Sequence, residues 1–318
     1  MGEVFYVERD FWPHNTALYV RDFKGNNPRF IAYFLKNALR GTSSNKAAVP
    51  GVNRNDLHER KVLAPDISTQ ERIVEHLQSI DNLIENNRRR IKLLEKSARL
   101  LYREWFVHLR FPGHEHVKVV DGVPDGWERK SIAEMFDTTS GGTPSRTNAE
   151  NFDGEISWVK TQELDERYIF DTEEHISEAA LKTSAAKLFP EGTLLVSIYG
   201  GTNIGRTGLL AKASASNQAC VALMPKRKPG DVLFAQKWLQ ENREHMISLG
   251  QGAAQTNINQ QTLRSQMMLV PTDALLDEFI DGIKPMYEQI ATLGQQVTKL
   301  GQARDLLLPR LMSGEITV

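Results

Sequence analysis

The sequence predicts an α+β protein in which mixed α/β domains are joined by two long helices that form an antiparallel coiled coil. Two observations support this prediction: the chain contains an internal repeat, and each copy ends in a long segment with the apolar spacing of a helix. A chain of 318 residues is long enough for about two domains. Its content of 40% hydrophobic and 25% charged residues is typical of a globular protein.

The repeat relates two parts of the chain at a constant offset of 206 residues. Upstream, with small gaps, His14-Asn15-Thr16-Ala17 resembles Ser216-Asn217-Gln218-Ala219, and Phe30-Ile31-Ala32 resembles Leu233-Phe234-Ala235. One repeat is therefore a compact α/β unit followed by a long helix. The residues matched at the constant offset are Ala47-Ala48, Asn53, Leu57, Leu63 and Pro65 in the first copy, and Ala253-Ala254, Asn259, Leu263, Leu269 and Pro271 in the second.

The long helix of each copy is predicted from apolar residues that step by threes, fours and sevens. A helix of about 35 residues would extend roughly 50 Å at ~1.5 Å per residue. A single apolar stripe on such a helix must be buried against another helix, and the obvious partner is the other copy. The positions expected to form the coiled coil are Ile73, Leu77, Ile80, Ile84, Ile91, Leu94 and Leu101 in the first copy, and Phe279, Ile283, Met286, Ile290, Val297, Leu300 and Leu307 in the second.

Charge favours pairing the two helices with each other. Residues 69–110 hold nine Lys/Arg and six Asp/Glu, whereas residues 273–312 hold four and six, so the net charges are +3 and −2. Opposite net charges favour this pairing over self-pairing, which supports an intramolecular antiparallel coiled coil. The alternative is that both segments are ordinary core helices of two unrelated domains. The second helix is expected to kink or fray at its proline and glycines, Pro285, Gly282, Gly294 and Gly301.

The repeat divides the chain into four segments. Residues 1–68 are the C-terminal part of a first domain, 69–110 the first long helix, 111–272 a second, complete domain, and 273–318 the second long helix and tail. Turn formers such as Pro112-Gly113 mark the start of the second domain as a linker. The first domain has no counterpart of residues 124–200, so its front part is expected to be missing. In the second domain, strands are expected at 155–160, 193–199 and 219–224, and helices at 178–187 and 232–248.

Four motifs that could carry chemistry lack a requirement of that chemistry. Asn27-Pro28-Arg29-Phe30 lacks the two consecutive prolines of an adenine-methyltransferase signature and is predicted to be a turn entering a helix. Residues 200–207 have phosphate-loop spacing, but Arg206 stands where a lysine is needed. His114-Glu115-His116 has no third ligand and is predicted to be a solvated linker, and Cys220 a buried hydrophobic residue. No catalytic site and no metal site are therefore expected, and the chain is not expected to be an enzyme on its own.

The bulk properties indicate a soluble, cytoplasmic protein. One cysteine excludes a disulfide framework and suits a reducing compartment. No stretch approaches the ~18 uninterrupted apolar residues of a membrane span, and no signal peptide follows Met1. The net charge is −1, so a DNA-binding face would have to be local, or partner subunits would have to supply phosphate contacts.

Five motifs together resemble one family, the specificity (S) subunits of type I restriction-modification systems. Pro124-Asp125-Gly126-Trp127, Ser140-Gly141-Gly142-Thr143-Pro144-Ser145 and Ile156-Ser157-Trp158-Val159 are similar to the opening of a target-recognition domain in that family. Residues 65–73 resemble the entry into its conserved spacer helix, and residues 308–316 resemble its C-terminal ending. The resemblance covers essentially the whole chain.

The resemblance implies a non-catalytic subunit that recognises double-stranded DNA. Each target-recognition domain would read one half of a split target, and the paired spacer helices would fix the gap between the halves. The helices would also dock methyltransferase (M) subunits, through which restriction (R) subunits join. S-adenosylmethionine, ATP and Mg²⁺ would belong to those partners, so no cofactor is expected in this chain.

The chain departs from the family's usual pattern of two complete recognition domains. It would then be a truncated gene product, an expressed fragment, or a shortened form that acts as a homodimer. A competing interpretation is a coiled-coil adaptor without DNA specificity of its own. A third is a nucleotide hydrolase that uses residues 200–207.

DNA readout by the complete domain would use polar residues on loops that can enter a groove. The loops are 140–148, 160–162, 199–206 and 251–257. For each residue, a solvated or turn-stabilising role is the alternative. The Arg88-Arg89-Arg90 run is expected to be a solvated helix face or a methyltransferase contact. The expected DNA contacts are Arg146, Lys160, Gln162, Tyr199, Asn203, Arg206, Gln255 and Asn257.

Overall fold

The computed structural model describes residues 3–14, 17–39, 54–59, 61–250 and 256–317. The helices are α1 (Pro28–Ala38), α2 (Arg54–His58), α3 (Ile67–Tyr102), α4 (Ile132–Met135), α5 (Glu178–Thr183), α6 (Asp231–Glu241), α7 (Arg243–Ser248), α8 (Gln260–Arg264) and α9 (Asp273–Met312). The strands are β1 (Val119–Val120), β2 (Val123–Pro124), β3 (Glu128–Ser131), β4 (Phe136–Ser140), β5 (Ile156–Val159), β6 (Tyr168–Ile169), β7 (His175–Ile176), β8 (Leu188–Phe189), β9 (Leu194–Ser197), β10 (Thr207–Leu210), β11 (Ser214–Ser216), β12 (Cys220–Pro225) and β13 (Met267–Val270). The α+β class predicted from the sequence is confirmed.

The chain forms two compact units, and both long helices pass from one to the other. The first unit is Met1–Arg89 with Gln295–Val318, and the second is Arg90–Gly294. The predicted helices of about 35 residues are α3, with 36 residues, and α9, with 40. A π-helix, Arg103–Val107, follows α3 directly.

In the first unit, α1 packs against the adjoining parts of α3 and α9. The side chain of Asn27 accepts hydrogen bonds from the backbone N–H groups of Arg29 and Phe30, and Pro28 occupies the first turn, where no donor is lost. The prediction of a turn entering a helix is therefore confirmed at this motif. The shared apolar cluster consists of Phe30, Tyr33, Ile73, Val74, Leu77, Leu308 and Leu311.

In the second unit, two sheets face each other across an apolar layer. One sheet has the strand order β4-β12-β9-β10-β6, and the other β7-β5-β11-β8. The side chains between them are fully or almost fully buried and include Val159, Phe189, Leu195, Leu210 and Cys220. Burial raises the pKa of the Cys220 thiol, so this cysteine is the buried hydrophobic residue that the sequence predicts.

A separate pair of strands and an aromatic cluster complete the second unit. Strand β13 pairs antiparallel with β3, so the segment just before α9 is hydrogen-bonded to the start of the domain. Phe111 and Trp127 are 3% and 7% exposed, so part of the predicted linker is built into the core. The rings of Tyr102, Phe106, Phe234 and Phe279, which we call the aromatic seam, pack in tilted and edge-to-face pairs at centroid distances such as 4.8 Å between Phe106 and Phe279.

Within each unit the two long helices run antiparallel. In the first unit, Asp81 contacts Arg304 and Asn87 contacts Gln296. In the second, Ile91 packs with Ile290 and Leu293. As the residue number rises along α3, the number of its partner on α9 falls. All fourteen positions predicted for the coiled coil are buried or half-buried, and none is exposed.

The expectation that the second helix frays is wrong, because α9 is helical without interruption from Asp273 to Met312. Pro285 cannot donate to the carbonyl of Asp281, but both residues are exposed, so water can satisfy that carbonyl. A methyl group on Gly294 would lie 2.5 Å from the ring of Phe170. This glycine therefore allows a close helix-to-domain contact within the second unit.

Candidate nucleic-acid interface

The strand pairing of the second unit brings several polar loops to one edge. Strands β4 and β9 run antiparallel to β12, and their ends Ser140 and Ser197 lie opposite Val221 and Cys220. Strand β5 runs parallel to β11, with Val159 opposite Ser216. The segments that leave β4, β5, β9 and β11 and the segment that enters β12 therefore meet. We call residues 141–147, 160–163, 198–206, 217–219 and 256–257 the loop edge.

Backbone hydrogen bonds hold the loop edge together. The N–H of Gly142 donates to the carbonyl of Ser216 at 2.8 Å, and the N–H of Asn217 donates to Val159 at 2.9 Å. The N–H of Ile198 donates to Ala219 and that of Gly201 to Thr256, each at 2.9 Å. Neighbouring loops are thus fixed to one another, which preorganises the side chains that they carry.

Close backbone packing requires the two adjacent glycines of the loop that follows β4. A Cβ atom on Gly141 would lie 2.2 Å from the carbonyl oxygen of Ser216, and one on Gly142 would lie 2.3 Å from the backbone of Ala185. The ring N–H of Trp158 donates to the carbonyl of Gly142 at 3.0 Å. Only glycine allows this close approach of backbones, so these motif residues position the loop.

Arg146 and Lys160 both contact the carboxylate of Glu174. A guanidinium nitrogen of Arg146 lies 2.6 Å from a carboxylate oxygen of Glu174, as an ion pair without hydrogen-bond geometry. The guanidinium also lies 4.2 Å from the ring centre of Phe152. Lys160 Nζ donates to Glu173 at 2.8 Å and to Glu174 at 2.9 Å. These two predicted DNA contacts are therefore also part of an internal ion-pair network.

The two residues differ in how much charge they present to solvent. The side chain of Lys160 is only 12% exposed, whereas that of Arg146 is 56% exposed. Hydrogen bonds to Glu173 and Glu174 raise the pKa of Lys160, and the ion pair with Arg146 and the hydrogen bond from Lys160 lower the pKa of Glu174. Both shifts mean that the charged forms stabilise each other. Arg146 remains available to a ligand, whereas Lys160 would first have to leave its acidic partners.

Tyr199, Asn203, Arg206 and Asn257 lie together around one turn. Asn257 pairs with Tyr199 through a β-bridge, and its Oδ1 accepts from the backbone N–H of Gly200 at 3.0 Å. Gly200 has φ of +92°, a conformation that favours glycine. The carbonyl of Asn203 accepts from the N–H of Arg206 at 3.0 Å. The side chain of Asn257 therefore stabilises the turn, the alternative considered for it, whereas Asn203 makes its contact in this turn through its backbone carbonyl.

Arg206 differs from the other basic residues of the loop edge. Its side chain is half-buried, and within the described residues its guanidinium has no hydrogen bond and no ion pair. Tyr199 is 40% exposed beside it, and Gln162 is exposed on a short 3-10 helix, Thr161–Glu163. Of the predicted contacts, Tyr199, Gln162 and Arg146 are exposed, whereas Arg206 is half-buried but has no side-chain partner among the described residues. Gln255, also predicted, lies outside the described residues.

One polar residue of the loop edge, Gln218, was not predicted from the sequence. Gln218 is exposed, and its side chain accepts a hydrogen bond from the hydroxyl of Thr143. It links the loop after β4 to the segment before β12. Its position in the matched stretch Ser216-Asn217-Gln218-Ala219 was the available signal, because that stretch recurs in the first copy.

The other motifs give no sign of catalytic chemistry. Residues 200–207 are not followed by a helix, because β10 begins at Thr207, so the phosphate-binding helix terminus of a nucleotide loop is missing there. In the described parts of the chain, no group of three or more His, Cys, Asp or Glu is placed to hold a metal ion.

The same parts contain no helix with the length and apolarity needed to cross a bilayer.

Comparison with known proteins gives a consistent result. Residues 1–96 and 124–295 match the family described as the type I restriction modification DNA specificity domain. The type I restriction enzyme MjaIX specificity subunit of Methanocaldococcus jannaschii is 24% identical over 296 residues, covering 91% of this chain and 67% of that protein. The type I restriction enzyme HindI specificity subunit of Haemophilus influenzae is 22% identical, covering 86% of this chain and 72% of that protein.

One solved structure shares the fold at low sequence identity. The S subunit of a type I restriction-modification system from M. genitalium has a TM-score of 0.56 at 14% identity, covering 90% of this chain and 72% of that one. The HsdS subunit from Thermoanaerobacter tengcongensis has a TM-score of 0.43 at 18% identity, covering 91% and 70%.

Proposed function

Because the chain belongs to the type I restriction modification DNA specificity family, we propose that its loop edge reads one half-site of a split DNA target. In this family the specificity subunit recognises DNA and is not catalytic. The observation that carries the proposal is the convergence of polar loops from four strands onto one edge, with the unpaired guanidinium of Arg206 among them. An arginine without a partner among the described residues can form a bidentate contact with guanine or contact a phosphate.

The proposal assigns different roles to the predicted contacts. Arg206, Arg146, Tyr199 and Gln162 would contact DNA, because their side chains are accessible. Asn203, Asn257 and Lys160 would position the loops through the bonds described above. This division rests on exposure and pairing, and Gln218 joins the first group for the same reason.

The chain's charge implies help from partner subunits. With a net charge of −1, it has no broad positive field to attract the phosphate backbone. We propose that methyltransferase subunits supply much of the phosphate contact and bind S-adenosylmethionine. Restriction subunits that join through them would use ATP and Mg²⁺. This chain would then add sequence preference to a complex whose general affinity comes from its partners.

A surface for methyltransferase docking is offered by α3 within the second unit. Leu93 and Leu100 are 65% and 49% exposed, and Val107 in the following π-helix is 49% exposed. The three residues follow one another at intervals of seven, so they form an apolar stripe along one helix face. An exposed apolar stripe of this kind is typical of a protein-binding surface. The exposed run Arg88-Arg89-Arg90 precedes it on the same helix.

The test uses the complex of the full chain with its methyltransferase. Arg206→Ala is expected to weaken specific DNA binding about tenfold to a hundredfold, since one base or phosphate contact contributes roughly 1–3 kcal/mol. Arg129→Ala is the matched control, because Arg129 is an exposed arginine on β3, outside the loop edge. Fluorescence anisotropy at two salt concentrations gives both affinities.

Docking is tested in parallel. Leu93→Glu with Leu100→Glu should lose the co-purified methyltransferase, whereas Leu306→Glu, at a 72% exposed position on the other long helix, should keep it. If the complex forms but binds all DNA sequences equally, the chain is a scaffold, and the proposed readout is wrong.

A further inference from the structure

The interface between α3 and α9 in the first unit contains two polar contacts among its apolar residues. Asn87 is 6% exposed, and its Nδ2 donates to Oε1 of Gln296 at 3.1 Å. Arg304 Nη1 donates to Asp81 at 2.8 Å, and the same carboxylate accepts from the Tyr33 hydroxyl at 2.6 Å. We call Asp81, Asn87, Gln296 and Arg304 the polar seam.

The apolar residues around the polar seam do not select one register. Ile80 and Ile84 on α3 and Val297 and Leu300 on α9 are all aliphatic. When one helix slides past the other by seven residues, aliphatic side chains meet aliphatic side chains again, so the burial of apolar surface changes little. Within the first unit, apolar burial alone therefore does not distinguish the observed register from its neighbours.

The polar seam makes that distinction. A slip of α9 by seven residues would place Val297 or Leu311 opposite Asp81. Asp81 would lose Arg304, and a half-buried carboxylate would face an aliphatic side chain, which is strongly unfavourable. In one direction of slip, Ala303 would also replace Gln296 opposite Asn87 and leave a buried amide without its partner.

We propose that Asp81–Arg304 and Asn87–Gln296 fix the register of the long helices within the first unit, and that they thereby help to set the gap between DNA half-sites. The second part rests on the proposed function, whereas the first part does not. Each slip of seven residues would move one helix along the other by about 10 Å. Residues that exclude such slips are positioning residues for DNA recognition, although they contact no DNA.

The register is measured by the distance between spin labels on cysteines placed at Ser79 and Gln302 of the full chain. Both positions are exposed, and Cys220 is fully buried and out of reach of the label. The first variant is Asn87→Leu with Gln296→Leu. The second adds Asp81→Leu, Arg304→Leu and Tyr33→Phe, the last because the Tyr33 hydroxyl would otherwise lose its acceptor. The control exchanges the amides, Asn87→Gln with Gln296→Asn.

The parent chain and the amide exchange should show one narrow distance. The five-substitution variant should show a second population displaced by several Å, up to about 10 Å. One unchanged distance in that variant would overturn the proposal. If that variant does not fold by circular dichroism, the Asn87/Gln296 variant decides the question by the same criterion.

DNA recovered by the methyltransferase complex separates the two parts of the proposal. Two gap lengths with the slipped variant, against one with the parent chain, support both parts. A second label distance with a single gap length overturns the link from register to spacing. A second label distance with no split site at all contradicts the proposed function and leaves the register assignment standing.

Discussion

The same two helices are held together in different ways in the two units. In the second unit, the aromatic seam of Tyr102, Phe106, Phe234 and Phe279 packs four rings against one another. In the first unit, the polar seam lies beside a smaller apolar cluster. Ring packing buries much apolar surface, so substitutions there lower the free energy of unfolding strongly. Polar contacts contribute less to that free energy and instead select one helix register over others.

Separate regions of the molecule therefore provide most of the stability and the selection of helix register. The aromatic seam joins the end of α3 to α6 and α9 inside the domain that carries the loop edge. It is therefore expected to dominate the free energy of unfolding of that unit. The polar seam is expected to contribute little net stability, because each buried polar group loses water before it gains its partner.

The largest effect is expected from Phe279→Ala. Phe279 is fully buried and contacts four other rings, so its loss should lower the free energy of unfolding by about 3–5 kcal/mol. Urea unfolding followed by circular dichroism measures this change. Leu306→Ala, at a 72% exposed position of the same helix, should change it by less than about 0.5 kcal/mol. Equal losses in the two variants would mean that the aromatic seam does not dominate.

A second prediction concerns a buried cation in the second unit. Lys237 is 2% exposed, and burial lowers the pKa of its amine to about 8. Nζ donates to Gln240 at 2.9 Å, with Glu95, Glu166 and Tyr287 nearby. Between pH 8 and the unfolded value of 10.5, the unfolded chain holds a proton that the folded chain has released, so stability rises with pH.

Lys237→Met should remove this rise. The difference in free energy of unfolding between the parent chain and the variant should change by up to about 1.4 kcal/mol per pH unit across that window. Below pH 8 the difference should be constant. Unfolding curves from pH 7 to 10 measure it, and parallel profiles across that range would show that Lys237 keeps its ordinary pKa.

The smallest effect is expected in the polar seam. Asn87→Leu with Gln296→Leu removes the hydrogen bond between a buried amide and an exposed one, so the free energy of unfolding should change by no more than about 1 kcal/mol in either direction. Gln296→Leu alone should be more destabilising, because it leaves the buried Asn87 amide without its partner. A loss in the double variant as large as that of Phe279→Ala would remove the distinction between the two seams.

The sequence was informative where a pattern is long. The apolar positions of both helices follow one period over more than thirty residues, and all fourteen predicted positions are buried or half-buried. The predicted strands also lie close to β5, β9 and β12. Both results follow because burial of an apolar face constrains every turn of a helix and every second residue of a strand.

The loop edge was harder to predict because its roles depend on contacts between distant residues. Lys160 was expected to contact DNA, yet its amine is bound by Glu173 and Glu174, which reach it only after the chain has turned back. Asn257 stabilises the turn at Gly200, 57 residues earlier. Gln218 lies in a stretch identified as repeated, but its exposure becomes visible only in the folded domain.

The most direct test of DNA recognition is site selection from a randomised DNA pool by the purified complex of this chain with its methyltransferase. We expect recovery of a defined DNA sequence whose binding weakens as the salt concentration rises, because base contacts and phosphate contacts act together. Substituting Arg206 should reduce preference within the recovered sequence. Recovery of no common sequence from a stable complex would contradict DNA readout by the loop edge.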